Sequence, residues 1–282
     1  MNYSQSSMVA VNVEQQLGIR FRKTLEEEAK MQSLKDKVTL VTGGGSGIGR
    51  AICEVFAREG AKIAVVDFNA EAGEETAQFL TANGTEAIFI KADLTKEAQV
   101  EQMVAKTVEH FGRLDCACNN AALSRGRGAI ESFSQEDFEF ALEYSLTNTW
   151  LSMKYEIAAM RNNEGGSIVN ISSNASLKGD PFNTPYATAK GGVNTLTKSS
   201  AAELARAAIR INAVSPGVIR TPGVQRYIEE NPEVEQKLSN ASAVGRMGEP
   251  SEIAEAVAFF CSERASFITG QFLSVDGGAT VR

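Results

Sequence analysis

Three side chains in the middle of the chain have the types and the spacing needed to move a proton at a hydroxyl group. Tyr186 and Lys190 are four residues apart in a segment of helical pattern, so both face one side of the predicted helix. A free tyrosine has a pKa of about 10, and a neighbouring ammonium group lowers that pKa by favouring tyrosinate. Ser173 lies 13 residues earlier, just after the end of a predicted strand, where its hydroxyl could donate to a substrate oxygen. The set indicates acid–base chemistry at an alcohol or carbonyl group.

A glycine-rich turn gives a second indication. A predicted strand runs into Thr42-Gly43-Gly44-Gly45-Ser46-Gly47-Ile48-Gly49, and a predicted helix follows. Glycines permit positive φ and a close approach of the backbone, while a helix N-terminus attracts anions. No Lys-Ser/Thr pair follows the turn, which excludes a nucleoside-triphosphate loop. The turn therefore predicts a pyrophosphate cradle, with a tight structural turn as the alternative.

An acidic residue at the end of the second strand indicates which dinucleotide would bind. Asp67 follows Gly49 by 18 residues, where a carboxylate accepts hydrogen bonds from the adenosine ribose and repels a 2′-phosphate. Ser46 in the turn offers no positive charge to such a phosphate. The alternative role for Asp67 is to cap the helix predicted at 71–80, but Asn69 suits that position better. These residues favour NAD over NADP.

The pattern of strands and helices predicts how these groups are positioned. Strands alternate with helices, which favours a single doubly wound α/β (Rossmann) domain of about seven parallel strands with helices on both faces. The predicted strands are 38–42, 63–67, 87–90, 114–118, 167–171, 211–214 and 272–275, and the helices are 47–58, 71–80, 97–111, about 134–161, 186–206 and one from Pro250.

Residues 1–34 differ from the domain predicted at 35–282. We interpret them as an N-terminal extension with a helical pattern that needs a surface to pack against. Its apolar stripe consists of Leu17, Phe21, Leu25 and Ala29. Within the domain, the polar segment 217–249 is predicted to be a substrate loop, since long loops in compact domains are often lids.

Composition excludes several classes of protein. The 282 residues carry a net charge of −7, which disfavours nucleic-acid binding. No apolar run reaches the roughly 18–20 residues of a membrane span, and no signal-peptide pattern begins the chain. We therefore expect a cytoplasmic protein with no membrane partner.

Histidine and cysteine usage narrows the chemistry further. His110 is the single histidine, so a multi-histidine metal site is impossible and a Ser-His-Asp hydrolase would depend on that one residue. Cys116 and Cys118 lie on one face of a predicted strand. They are interpreted, like Cys53 and Cys261, as buried reduced thiols rather than a metal or redox pair. We expect no metal.

Over about residues 35–282 the chain resembles the short-chain dehydrogenases/reductases. The motifs that carry the resemblance occur in the family's order. They are Thr42 to Gly49, Asp93-Leu94, Asn119-Asn120-Ala121-Ala122, Ser173, Tyr186-x-x-x-Lys190, Pro216-Gly217-x-Ile219-x-Thr221 and Val275-Asp276-Gly277-Gly278.

The resemblance implies an NAD(H)-dependent oxidoreductase that interconverts a secondary alcohol and a ketone. Tyr186 would be the general acid/base, Lys190 would lower its pKa and hold the nicotinamide ribose, and Ser173 would polarise the substrate oxygen. Family members often form tetramers, so a homotetramer is expected. The implied cofactor contacts are Gly43, Ser46, Gly47, Ile48, Gly49, Asp67, Phe68, Asp93, Leu94, Asn120, Ala121, Tyr186, Lys190, Pro216, Gly217, Ile219 and Thr221.

The sequence departs from the family at one catalytic position. Ser145 stands where the family has an asparagine that helps to hold a water for the proton relay, and Asn148 follows one turn later.

Two other functions stay open: an NADPH-dependent 3-oxoacyl thioester reductase and a non-catalytic NAD-binding protein. Arg125 and Arg127 follow the fourth strand, and we expect one of them to contact an anionic or polar substrate group.

Overall fold

A parallel sheet of seven strands forms the centre of the protein, in the order β3-β2-β1-β4-β5-β6-β7. The computed structural model describes residues 32–282, so the predicted N-terminal helix lies outside the described residues. The strands are β1 (Val38–Thr42), β2 (Lys62–Asp67), β3 (Ala87–Lys91), β4 (Cys116–Asn119), β5 (Gly166–Ile171), β6 (Ile209–Pro216) and β7 (Phe272–Val275).

Helices cover both faces of the sheet, which confirms the doubly wound fold. They are α1 (Gly47–Arg58), α2 (Ala70–Ala82), α3 (Glu97–Phe111), α4 (Gln135–Leu142), α5 (Asn148–Arg161), α6 (Ala175–Lys178), α7 (Thr184–Leu204), α8 (Pro222–Glu230), α9 (Glu235–Ser239) and α10 (Pro250–Cys261). One apolar core joins the sheet to α1, α2 and α10, and the other joins it to α3, α5 and α7. Because both faces are buried, the strands are apolar almost throughout.

The chain changes direction in the sheet between β1 and β4. It moves outward from β1 to β3, returns to pair β4 beside β1, and then continues to β7 on the other side. The pairing register places Val41 opposite Cys118, so the segments that follow the two strands emerge side by side. Ligands bind at such a switch point, outside the carboxyl ends of the strands.

Two segments differ from the prediction. The long helix predicted at about 134–161 is divided by a π-helical turn at Glu143–Thr147, which separates α4 from α5. Such turns are frequent at functional sites. The predicted loop at 217–249 contains helices α8 and α9, because Thr221 caps α8 through its hydroxyl and Pro222 opens that helix.

All four cysteines are free and buried, as predicted. Cys116 and Cys118 belong to one apolar core and Ala117 to the other, since successive residues of a strand face opposite sides. Within residues 32–282, no three His, Cys, Asp or Glu side chains are placed to hold a metal ion. None of the helices in this range has the length and apolar character to cross a bilayer.

Candidate active site

A cavity of about 1020 Å³ opens at the carboxyl edge of the sheet, across the switch point. Every residue predicted for the site lines this cavity except Gly49 and Ser145. The predicted residues along its wall are Gly43, Ser46, Gly47, Ile48, Asp67, Phe68, Asp93, Leu94, Asn120, Ala121, Ser173, Tyr186, Lys190, Pro216, Gly217, Ile219 and Thr221.

Hydrogen bonds fix the glycine turn to the end of β4. The Asn120 amide Nδ2 donates to the Thr42 carbonyl at 3.0 Å and to the Gly43 carbonyl at 3.3 Å. The backbone N–H groups of Asn120 and Ala121 donate to the Thr42 hydroxyl at 3.0 and 3.1 Å. The two walls of the cavity on either side of the switch point are therefore held as one unit.

Gly49 does not face the cavity but supports the turn from behind. A Cβ at this position would overlap the carbonyl oxygen of Gly43 and would lie 2.6 Å from Asn120 Nδ2. Real Cβ atoms do not approach backbone so closely, so only glycine lets α1 start this near to the turn.

We expect Gly49→Ala to lower the free energy of unfolding by about 1–3 kcal/mol, the range for overpacking a well-filled site, and to weaken dinucleotide binding by displacing the turn. Urea denaturation and NADH fluorescence titration measure the two effects. Gly191→Ala is the control, because a Cβ there meets nothing within 4 Å. Unchanged stability and binding in Gly49→Ala would contradict this account of the turn.

The N-terminus of α1 is suited to an anion. Ser46 is its N-cap, yet the Ser46 side chain makes no capping hydrogen bond, and the first turn carries no acidic residue. Gly43 and Gly47 have φ of +65° and +53°, a region that glycine adopts without strain. First-turn N–H groups with no internal partner can therefore meet a pyrophosphate, and these residues fit a dinucleotide.

The carboxylate of Asp67 is held at the other end of this wall. Its Oδ2 accepts from the Gly45 N–H and its Oδ1 from the Asn69 N–H, both at 2.9 Å. Each oxygen keeps acceptor capacity for a further donor. Asn69 caps α2 by accepting from the Ala72 N–H at 3.2 Å, as predicted, so Asp67 is not used as a cap.

Ser173, Tyr186 and Lys190 meet at the opposite wall, which β5 and α7 form. The Ser173 side chain lies close enough to favour the ionised form of the Tyr186 hydroxyl, and Lys190 Nζ lies 5.8 Å from the centre of the Tyr186 ring. Lys190 is buried and donates to the Ile171 carbonyl at the end of β5 at 2.7 Å. The sequence spacing thus brings the three side chains together.

The electrostatics of this group differ from the expectation in one respect. Withdrawal from water raises the pKa of Tyr186, and the nearby Ser173 side chain opposes that rise. Burial also lowers the pKa of Lys190 to about 8. Because burial disfavours both charged forms, Lys190 by itself does not lower the pKa of Tyr186 below its ordinary value.

Ser145 and Asn148 take different positions around the π-helical turn. Ser145 is fully buried and does not line the cavity, and its hydroxyl donates to the Leu123 carbonyl at 2.9 Å. Asn148 lines the cavity, and its amide donates to the carbonyls of Ala121 and Tyr144, each at 2.9 Å. Of the two candidates for the relay, Asn148 is the one at the cavity wall, and the role stays a prediction.

The arginines expected near a substrate are paired elsewhere. Arg125 forms an ion pair with Glu136 at 3.2 Å, and Arg127 forms one with Asp180 at 2.6 Å. Neither lines the cavity, whereas Arg226 of α8 does. The sequence prediction missed Arg226, although its position four residues after Pro222 places it on the same face of α8.

A buried polar network behind the cavity also escaped the sequence prediction. The Asn119 amide donates to Glu156 Oε2 at 3.0 Å and to Asn170 Oδ1 at 3.1 Å. Asn170 in turn donates to the Thr197 hydroxyl at 3.0 Å, on the helix that carries Tyr186. Glu156 is fully buried, and this burial raises its pKa to about 8. The network links β4, β5, α5 and α7.

Known proteins resemble the chain over this whole region. A family model described as enoyl-(acyl carrier protein) reductase matches residues 43–280. A 2,5-dichloro-2,5-cyclohexadiene-1,4-diol dehydrogenase of Sphingobium indicum is 41% identical over 251 residues, which cover 89% of this chain and 99% of that protein. The levodione reductase of Leifsonia aquatica is 38% identical over 250 residues, covering 86% of this chain and 94% of the relative.

Solved structures agree with this relationship. The crystal structure of a levodione reductase superposes with a TM-score of 0.83 at 38% identity and covers 88% of this chain and 99% of its own. A short-chain type dehydrogenase/reductase from Mycobacterium ulcerans gives a TM-score of 0.84 at 30% identity, covering 89% and 92%. The chain belongs to the short-chain dehydrogenase/reductase family and is an oxidoreductase that acts on CH–OH groups.

Proposed function

We propose that the protein is an NAD(H)-dependent oxidoreductase that interconverts a secondary alcohol and a ketone, with Tyr186 as its general acid/base. The observation that carries the proposal is the arrangement of one cavity. Tyr186, Ser173 and Lys190 form one wall, while Asp67 and the uncapped N-terminus of α1 form the other. A dinucleotide that spans the two walls would present its reactive ring to the three catalytic side chains.

The side chains would divide the proton chemistry among themselves. When bound, the nicotinamide supplies the hydride acceptor or donor. Ser173 would donate a hydrogen bond to the substrate oxygen, and Tyr186 would take or give the hydroxyl proton. Lys190, fixed by the Ile171 carbonyl, would hold the nicotinamide ribose. Together with the positive charge of an oxidised nicotinamide, it would favour the tyrosinate form of Tyr186.

Asp67 supports NAD rather than NADP as the cofactor. Its carboxylate is fixed by the Gly45 and Asn69 N–H groups, so it cannot turn away from a 2′-phosphate without losing both bonds. We expect Asp67→Ser to raise the affinity for NADPH relative to NADH by at least about tenfold. A tenfold change corresponds to about 1.4 kcal/mol, and two like charges placed side by side at a binding site cost at least that much.

Fluorescence titration of the wild type and Asp67→Ser with NADH and NADPH measures this preference. Glu71→Gln is the control, because it removes a neighbouring negative charge from α2 that does not line the cavity. Preferential binding of NADPH by the wild type would show that Asp67 does not select the cofactor.

The names of the relatives guide the choice of substrates. They include a cyclohexadienediol dehydrogenase and a gamma-butyrolactone 1′-reductase, which is 40% identical over 249 residues. The panel should therefore hold cyclic and open-chain secondary alcohols and the matching ketones. A 3-oxoacyl thioester belongs in it as well, to test the thioester reductase alternative, and the matching family model is described as enoyl-(acyl carrier protein) reductase. Absorbance of the reduced nicotinamide follows turnover.

Turnover of a secondary alcohol with NAD supports the proposal. Turnover of the 3-oxoacyl thioester alone, with NADPH as the cofactor, would contradict the proposal and show a 3-oxoacyl thioester reductase instead. Tight NADH binding without turnover of any compound in the panel would favour a non-catalytic NAD-binding protein. We also propose that copies of the chain associate, as members of the short-chain dehydrogenase/reductase family often do. The cytoplasmic location stays a prediction.

A further inference from the structure

The cavity contains little positive charge for a cofactor that is itself anionic. Among the described residues that line it, the cations are Lys190 and Arg226, and the acids are Asp67 and Asp93. Lys190 is buried, and its ammonium is already engaged with the Ile171 carbonyl. Arg50, next to the glycine turn in sequence, is bound to Glu54 and Glu75 at 3.1 and 2.7 Å.

Of the two cations that line the cavity among the described residues, Arg226 is the one whose charged group is not already engaged. It is exposed, and it forms no hydrogen bond or ion pair with residues 32–282. The two other arginines of segment 217–249 are engaged: Arg220 pairs with Glu235 at 2.9 Å and Arg246 with Glu252 at 2.7 Å. An unpaired guanidinium in so acidic a segment points to a partner that the protein chain itself does not supply.

The first turn of α8 lies near the glycine-rich turn, and Arg226 lines the same cavity. A Cβ at Gly47 would lie 3.3 Å from Thr221 Cγ2 and 3.7 Å from Pro222 Cδ, so the start of α8 packs against the start of α1. Arg226 is one turn further along the same face of α8, about 6 Å along the helix axis from Pro222. The fork of an arginine binds oxyanions in a bidentate manner.

We propose that Arg226 binds an oxyanion inside the cavity, and this inference rests on the proposed function. Two groups carry the required chemistry: the pyrophosphate of the dinucleotide and a carboxylate on the substrate. In either case Arg226 completes the site from the α8 side and counters a negative charge that the N–H groups of α1 alone would face.

The first measurement is calorimetric binding of ADP and of adenosine to the wild type, Arg226→Ala and Arg226→Lys. ADP carries the pyrophosphate and adenosine does not. We expect Arg226→Ala to weaken ADP binding at least about tenfold and to leave adenosine unchanged, with Arg226→Lys in between because it keeps the charge and loses the fork. Arg246→Ala removes the same charge from the same segment, away from the cavity, and should bind ADP as the wild type does.

The second measurement distinguishes the substrate from the cofactor as the source of the oxyanion. It compares kcat/KM for a neutral secondary alcohol and for its carboxylate-bearing analogue in the same variants. Unchanged ADP binding with a tenfold loss of selectivity for the anionic analogue in Arg226→Ala assigns the oxyanion to the substrate. If neither ADP binding nor that selectivity changes, the inference is wrong. A wild type that binds neither ADP nor NADH overturns the proposed function itself.

Discussion

Tyr186→Phe should lower kcat by about three orders of magnitude and leave the Kd for NADH within about twofold of the wild type. Positioned general acid–base groups contribute about 10²- to 10⁴-fold to rate, and phenylalanine removes the hydroxyl while keeping the ring. Tyr186 lines the cavity together with Ser173 and Lys190. Initial rates of reduced-nicotinamide formation and a fluorescence titration measure the two quantities.

Tyr155→Phe is the matched control for this substitution. The Tyr155 hydroxyl donates to Glu97 at 3.0 Å and does not line the cavity, so its loss should leave kcat unchanged. A Tyr186→Phe enzyme that keeps more than about a tenth of its kcat would show that another group moves the proton. Loss of NADH binding in the same variant would instead assign Tyr186 a structural role.

Glu156→Gln should remove a pH-dependent loss of stability from the protein. The pKa of Glu156 is raised from 4.5 to about 8 by burial, so the folded protein holds this proton over a range in which the unfolded chain has lost it. Stability therefore falls as the pH rises from about 4.5 through 8, and above 8 the whole cost of a buried carboxylate is present. A difference of this size is on the order of 5 kcal/mol.

Thermal unfolding of both proteins between pH 5 and pH 9 tests this expectation. At pH 5 both side chains are neutral, and the two melting temperatures should be similar. At pH 9 the glutamine variant should melt at the higher temperature. Glu109→Gln, on the exposed face of α3, should follow the wild type across the range. Parallel pH profiles for the wild type and Glu156→Gln would contradict a raised pKa at Glu156.

Much of the fold was predictable because its signals are local. Short apolar runs with polar breaks mark the buried strands, and β1, α1 and α3 begin and end where the pattern placed them. Many of the residues that line the cavity follow the ends of strands, and in a parallel sheet all carboxyl ends meet at one edge. The motifs were therefore predictable as one cavity even though they are far apart in sequence.

What the sequence did not predict depends on contacts between distant segments. Glu156 has the character of a surface residue in a helical pattern, yet Asn119 from β4 satisfies one of its oxygens in the interior. The π-helical turn that contains the buried Ser145 has no glycine or proline to mark it in the sequence. Arg127 has a carboxylate partner 53 residues away, in Asp180. Neither of these two pairings has a local signature, so spacing alone could not show that Arg127 is engaged away from the cavity.

Transfer of a deuterium label tests the proposed reaction most directly. The secondary alcohol that the enzyme oxidises fastest is prepared with deuterium on its carbinol carbon and incubated with NAD, and mass spectrometry analyses the reduced cofactor. We expect the label to appear in the NADH, and Tyr186→Phe to form labelled NADH at a rate lowered by about three orders of magnitude. Unlabelled NADH, or no reduced cofactor from any alcohol although NADH binds, would contradict hydride transfer from a secondary alcohol.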